Sequence, residues 1–136
     1  MTTTYRILIV DDDEDARILL MRALGKSALA LEIASAADGL QALALVASTR
    51  PHLVITDVMM PRMNGFDLCA AVRADPASEV TPVVMVTALE DDRDRQRGFA
   101  VGASEYLTKP FSWTALIALV ADLLAAAYGP HDALQP

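Results

Sequence analysis

At 136 residues the chain can bury one good core and is too short for two ordinary domains. A composition of 54% hydrophobic and 21% charged residues excludes a disordered segment, and a net charge of -7 without clustered Lys or Arg excludes direct nucleic-acid binding. The single cysteine, Cys69, allows no internal disulfide, the N-terminus has no signal-peptide pattern, and the apolar stretch from Trp113 to Tyr128 is too short and contains Asp122, so no membrane insertion and a cytoplasmic setting are expected.

Apolar runs of strand length alternate with stretches of helical period, the pattern of parallel strands joined by helical crossovers. The first strand is expected over Tyr5 to Val10. After it, Glu14 to Lys26 should be helical, with acids at the start, Gly25 near the end, and Ile18, Leu19, Met21, Arg22 and Leu24 forming its stripe. A second strand over Ala30 to Ala34 leads to Asp38, the N-cap of a helix over Gly39 to Ser48 that Pro51 helps to stop. The third strand, Leu53 to Thr56, precedes a helix over Phe66 to Ala74, with Asn64 and Gly65 as its opening turn because both tolerate positive φ. Pro82 to Thr87 forms the fourth strand. The charged segment Asp91 to Ala100, interrupted by Gly98, forms the fourth helix, and Glu105 to Thr108 the fifth strand. Ser112 caps a last helix from Trp113 to Tyr128, which Gly129 and Pro130 terminate. One domain is therefore expected over 1–128, followed by a tail over 129–136.

In an open parallel α/β sheet, ligands bind at the carboxyl ends of the strands, where strand order reverses. The polar residues fall there: Asp11, Asp12 and Asp13 after the first strand, Asp57 after the third, Thr87 at the end of the fourth, Lys109 after the fifth. Converging carboxylates repel one another unless a cation lies between them. Magnesium suits such a set, since it takes one or two carboxylates, keeps several waters and accepts phosphate oxygens. No Cys or His cluster suggests zinc. A carboxylate can attack phosphorus when the charge of the transferring group is neutralised from several sides, and Asp57, alone at its strand end, is the best nucleophile.

Four motifs in order carry a family resemblance over roughly Ile7 to Leu124: Ile7-Leu-Ile-Val-Asp-Asp-Asp13, Asp57-Val-Met-Met-Pro-Arg-Met-Asn-Gly65, Val84-Met-Val-Thr-Ala88 and Gly102-Ala-Ser-Glu-Tyr-Leu-Thr-Lys-Pro-Phe111. The chain resembles bacterial two-component response-regulator receiver domains. The resemblance implies a doubly wound, flavodoxin-like (βα)5 fold with a five-stranded parallel sheet in the order 2-1-3-4-5. It implies that Asp57 becomes a 4-aspartylphosphate, taking its phosphoryl group from a phosphohistidine of a sensor histidine kinase or histidine phosphotransfer protein. Asp12, Asp57 and the Met59 carbonyl would ligate Mg2+, with Asp11 acting through a bound water. Lys109, joined to Pro110 by a cis peptide, would contact the phosphoryl group, and Thr87 with Tyr106 would form the switch pair. Met59 and Leu89 occupy the family's two rate-tuning positions; neither can hydrogen-bond an attacking water, so slow self-dephosphorylation is expected. Phosphorylation would shift a pre-existing equilibrium at the surface of the fourth helix, fifth strand and fifth helix, acting on a downstream protein target or a homodimer.

The last helix is apolar on two sides, with Leu116, Leu119, Val120 and Leu123 as one stripe and Trp113, Ile117, Leu124 and Tyr128 as a second, read as a partner surface. Asp13, Glu14 and Asp15 are read as helix-dipole residues, Cys69 as a packing residue, His52 as a loop residue and His131 as part of the tail. The residues after Tyr128 are too few for an output domain, so the chain acts by binding partners or is a fragment of a larger multidomain regulator or hybrid kinase. Three alternatives are weaker. A small aspartyl-phosphate-type phosphatase needs an acid where Met59 stands. A nucleotide-binding domain needs glycines where Asp11 to Asp15 stand. An interaction module that has lost phosphorylation would not keep the acids, Thr87 and Lys109. No enzyme activity is expected beyond self-catalysed phosphoryl acceptance and slow autodephosphorylation.

Overall fold

The apolar runs pair into one parallel sheet. In the computed structural model, which describes residues 3–129, the elements are β1 (Tyr5–Val10), α1 (Glu14–Gly25), β2 (Leu31–Ala36), α2 (Gly39–Thr49), β3 (Leu53–Thr56), α3 (Gly65–Ala74), β4 (Val83–Thr87), α4 (Asp92–Ala100), β5 (Glu105–Thr108) and α5 (Trp113–Tyr128). The strand order is β2-β1-β3-β4-β5, all parallel, so the order reverses between β1 and β3 as a flavodoxin-like doubly wound fold requires. Pro130, His131 and the rest of the expected tail lie outside the described residues.

Side chains alternate between the faces of a strand, and this divides the core in two. On one face Ile7, Ile9, Leu53, Ile55, Val84 and Val86 pack with Leu20 and Leu24 of α1 and Leu116, Val120 and Leu124 of α5. On the other, Leu8, Val10, Val54, Val83 and Met85 pack with Ala42 and Val46 of α2 and Leu68, Cys69 and Val72 of α3. The three central strands are buried on both faces, as their continuous apolar runs foretell.

Several details differ from the sequence reading. In α1 the buried residues are Leu20 and Leu24, four apart on one face, while Ile18 and Leu19 are 38% and 54% exposed and Arg22 is exposed. Leu20 and Leu24 are the α1 residues packed into the core face shared with β1 and α5. β2 reaches Ala36 rather than Ala34, because Asp11 N–H continues the pairing to Ala36 O. α3 begins at Gly65, one residue early, and neither Asn64 nor Gly65 has positive φ. Asn64 is an ordinary N-cap, and Gly65 is required because a Cβ there would run into the Asp57 carbonyl.

At the amino ends of the strands, His52 N–H donates to Arg6 O at 2.7 Å and Arg6 N–H donates back to His52 Nδ1 at 2.8 Å. The Arg6 guanidinium reaches the carbonyls of Thr49 and Arg50, and the Tyr128 hydroxyl donates to His52 O at 2.7 Å. The His52 ring stands edge-on to both Tyr5 and Tyr128. His52 lies in the bend just before β3, a loop residue as expected, and from there it ties β1 to α5.

Candidate functional site

Each acid of the site is placed by backbone bonds of the strand that delivers it. Asp11 follows β1, where its N–H is held by Ala36 O, and its Oδ1 accepts from Asp13 N–H at 2.9 Å. Asp13 then caps α1 through Asp15 N–H, so its helix-opening role holds. Asp57 follows β3, where its N–H donates to Val10 O, and its Oδ1 accepts from Val58 N–H at 2.6 Å and Met59 N–H at 3.4 Å. Lys109 follows β5, donates its N–H to Thr87 O and is joined to Pro110 by a cis peptide. Its ammonium lies between the two acids, donating to Asp11 Oδ2 and Asp57 Oδ2, each at 3.2 Å.

Burial raises the pKa of Asp11, the largest influence, while Asp13 N–H and Lys109 lower it and the Asp57 charge adds to the rise. Burial pulls Lys109 down, but the charges of Asp57 and Asp11 more than offset it, so the ammonium is held charged. One cation thus serves two acids, with Asp12 exposed beside them.

Thr87 is buried, and its Oγ1 accepts from Leu89 N–H at 3.3 Å. Tyr106 points inward and is buried, its hydroxyl donating to Leu89 O at 2.7 Å. A Cβ on Gly98 would approach the Tyr106 ring to 2.9 Å, so the glycine in α4 leaves room for that ring. Arg95 donates to Tyr106 O at 3.0 Å, Glu105 accepts from Tyr106 N–H at 3.1 Å, and the two side chains approach to 3.9 Å. Asp12, Met59 and Leu89 line a cleft of about 520 Å³, with Phe66 and Arg97 at its far wall, the guanidinium 4.4 Å from the ring centre.

Sequence reasoning did not single out Arg17, Arg95 or Arg97. The Arg17 guanidinium donates to Asp11 O at 2.7 Å, and no sequence motif marks that contact.

Residues 7–121 match the family described as the response regulator receiver domain. The chain belongs to that family. It is 43% identical over 118 residues to the response regulator PleD of Caulobacter vibrioides, covering 87% of this chain and 26% of that protein. It is 38% identical over 132 residues to the response regulator MprA of Mycobacterium bovis, covering 97% of this chain and 55% of that protein. The chain therefore spans between about a quarter and about half the length of these curated relatives. Among solved structures it is similar to the signal receiver domain of a signal transduction histidine kinase from Syntrophus aciditrophicus, at 32% identity and a TM-score of 0.84, covering 91% of this chain and 92% of that one. It is also similar to the chemotaxis response regulator CheY4 of Vibrio cholerae, at 35% identity and a TM-score of 0.81, covering 89% and 99%.

For this receiver domain the expected partner stripe on α5 needs correction. Leu124 is fully buried and belongs with Leu116 and Val120 to the core row, and Ile117 is partly buried against it. Only Trp113 and Tyr128 of that stripe are exposed, and Tyr128 is tied to His52. Cys69 is buried with its thiol pKa raised by burial, as a packing residue should be. No helix among the described residues is long and apolar enough to cross a membrane.

Asp11, Asp12 and Asp57 stand at the carboxyl ends of β1 and β3. Among the described residues no three His, Cys, Asp or Glu side chains are grouped to hold an ion. The donor chemistry nevertheless fits a hard divalent cation: two buried or half-buried carboxylates face a single ammonium, and Asp12 shares the adjoining cleft with Met59.

Proposed function

We propose that this receiver domain accepts a phosphoryl group on Asp57. The observation that carries the reading is the Lys109 ammonium bridging Asp11 and Asp57, which joins groups delivered by β1, β3 and β5. In the proposed step an Asp57 carboxylate oxygen attacks the phosphorus of a phosphohistidine, the P–N bond breaks and its electron pair leaves on the imidazole nitrogen. The product is an acyl phosphate. Val58 N–H holds Asp57 Oδ1, which orients the carboxylate, and Lys109 can pass from Asp57 Oδ2 to a phosphoryl oxygen with little movement. Thr87 supplies a hydroxyl at the end of β4, and its movement toward the phosphoryl group would be sensed by Tyr106 and α4. Mg2+, when bound, would neutralise phosphoryl oxygens, with Asp12, Asp57 and the Met59 carbonyl as its holders and Asp11 acting through water.

The phosphodonor is a sensor histidine kinase or histidine phosphotransfer protein, and the output a downstream protein or a second copy engaging α4, β5 and the exposed part of α5 around Trp113. The domain occupies residues 1–128 and works in the cytoplasm. It is not an enzyme beyond accepting and slowly losing its phosphoryl group, since Met59 and Leu89 offer an attacking water no hydrogen-bonding side chain. Incubation with Mg2+ and acetyl phosphate should add one phosphoryl group, seen by mass spectrometry, and Asp57→Asn should abolish it. Undiminished labelling of that variant would refute the reading.

A further inference from the structure

We propose that Arg17 is a positioning residue for the acid loop, fixing the Asp11–Asp12 peptide so that Asp12 faces the cleft it shares with Met59. The inference rests on the phosphoacceptor reading above and names what holds its cation-binding acid in place.

Five consecutive acids, Asp11 to Asp15, leave β1 and enter α1. Arg17 stands one turn further on, yet among the described residues its guanidinium pairs with no carboxylate within 4.0 Å. It donates instead to the backbone carbonyl of Asp11 at 2.7 Å. A guanidinium whose task was charge balance would find a carboxylate within easy reach here. One aimed at a carbonyl fixes geometry.

The Asp11 carbonyl and the Asp12 N–H belong to one planar peptide unit, so holding the oxygen sets the plane from which Asp12 departs. Asp11 is already fixed at its N–H by Ala36 O and at its carboxylate by Asp13 N–H and Lys109. Asp13 is fixed as the α1 cap. Asp12 lies between, exposed, and its carboxylate takes no hydrogen bond among the described residues. The peptide on its C-terminal side is held through Asp13 N–H on Asp11 Oδ1 and the one on its N-terminal side by Arg17, so Arg17 supplies one of the two holds that set its direction. Without that grip, repulsion among the acids would be free to turn the loop outward.

The sign of the effect separates this role from its rivals. If Arg17 acted only through its charge, removing a cation near the acids would tighten Mg2+ binding. If it served only stability, the melting temperature would fall and the affinity would stay. Positioning makes binding weaker, by about ten-fold on the scale of outer-shell groups that orient metal ligands.

The test measures Mg2+ affinity by calorimetry on wild type, Arg17→Met, which keeps the apolar stem, and Arg17→Lys, which keeps a charge and a donor without the fork. Metal-free melting temperatures are recorded alongside. Arg17→Met is expected to bind about ten-fold more weakly and Arg17→Lys to fall between it and wild type. If Arg17→Met does not fold, weakened binding by Arg17→Lys supports the proposal. Unchanged or tighter binding by the folded variants overturns it while leaving the phosphoacceptor reading intact. Absence of Mg2+ binding by wild type would overturn both.

Discussion

At the carboxyl ends of the strands, Asp11 and Asp57 share one ammonium and Asp12 stands exposed beside them. At the amino ends, Arg6 and His52 exchange backbone and ring hydrogen bonds, and Tyr128 closes the cluster with its hydroxyl and its ring. Both ends belong to the same three or four strands, so the sheet does not dictate the difference. Charge left unbalanced at one end costs stability and is useful only if an ion or a phosphoryl group arrives there. Polar groups paired with one another at the other end hold the ends of the chain's elements together.

The contrast can be broken most severely at Gly65. A Cβ there would meet the Asp57 carbonyl and Val58 Cα, backbone atoms that cannot step aside. Gly65→Ala should cost about 3 kcal/mol in urea denaturation, at the upper end of overpacking effects. It should also displace Asp57 and suppress phosphoryl labelling, whereas a variant as stable and as readily labelled as wild type would mean the loop adapts freely.

His52→Phe attacks the other end. It keeps an aromatic ring against Tyr5 and Tyr128 but leaves Arg6 N–H without its acceptor, an expected loss of about 1–3 kcal/mol at neutral pH with labelling of Asp57 unaffected. The pH dependence is a sharper mark. Burial, then the Arg6 charge, lowers the His52 pKa below its ordinary 6.5. As pH falls past 6.5 the unfolded chain takes up this proton first, so the stability supplied by the neutral ring is present above 6.5 and lost as pH falls through the folded value. Denaturant midpoints measured across this range should show that loss in wild type and not in His52→Phe.

Asp11 responds in the opposite direction. Its raised pKa means that the folded state takes the proton first, so acidification toward 3.8 recovers stability that the buried charge removes at neutral pH. Asp11→Asn should therefore be more stable than wild type at pH 7 in urea denaturation, and the gain should shrink on acidification. Lower stability of Asp11→Asn at pH 7 would show that Lys109 compensates the acid in full.

The placement of Asp11, Asp57, Thr87 and Lys109 at one end of the sheet could be read from sequence because it depends on strand ends, which apolar runs mark clearly, whereas the strand order followed only from the family resemblance. Helix phase was harder. Ile18 and Leu19 compete with Leu20 for the inward face of α1, and packing against β1 and α5, which no local pattern records, decides among them. In α5 nearly every position is apolar, so pattern alone could not assign Leu124 to the row of Leu116 and Val120. The ties made by His52, Arg73 and Arg95 were hidden for another reason. Each is a single side chain bonding to backbone brought close by folding: Arg6 and His52 are 46 positions apart in sequence, and Arg73 Nε donates to Gly102 O across 29 positions. No local period records such a meeting.

The Arg95 and Glu105 side chains at Tyr106 have a consequence for assembly. β5 is an outer strand, and Lys109 N–H pairs inward with Thr87 O, so along the alternating backbone the groups of Tyr106 point to the open margin of the sheet. Its N–H is covered by Glu105 and its C=O by Arg95. A sixth strand approaching from another molecule would find the middle of this four-residue margin already occupied. The molecule is thereby guarded against uncontrolled strand-to-strand growth at high concentration, and a protein that docks along this margin must recognise side chains rather than extend the ladder.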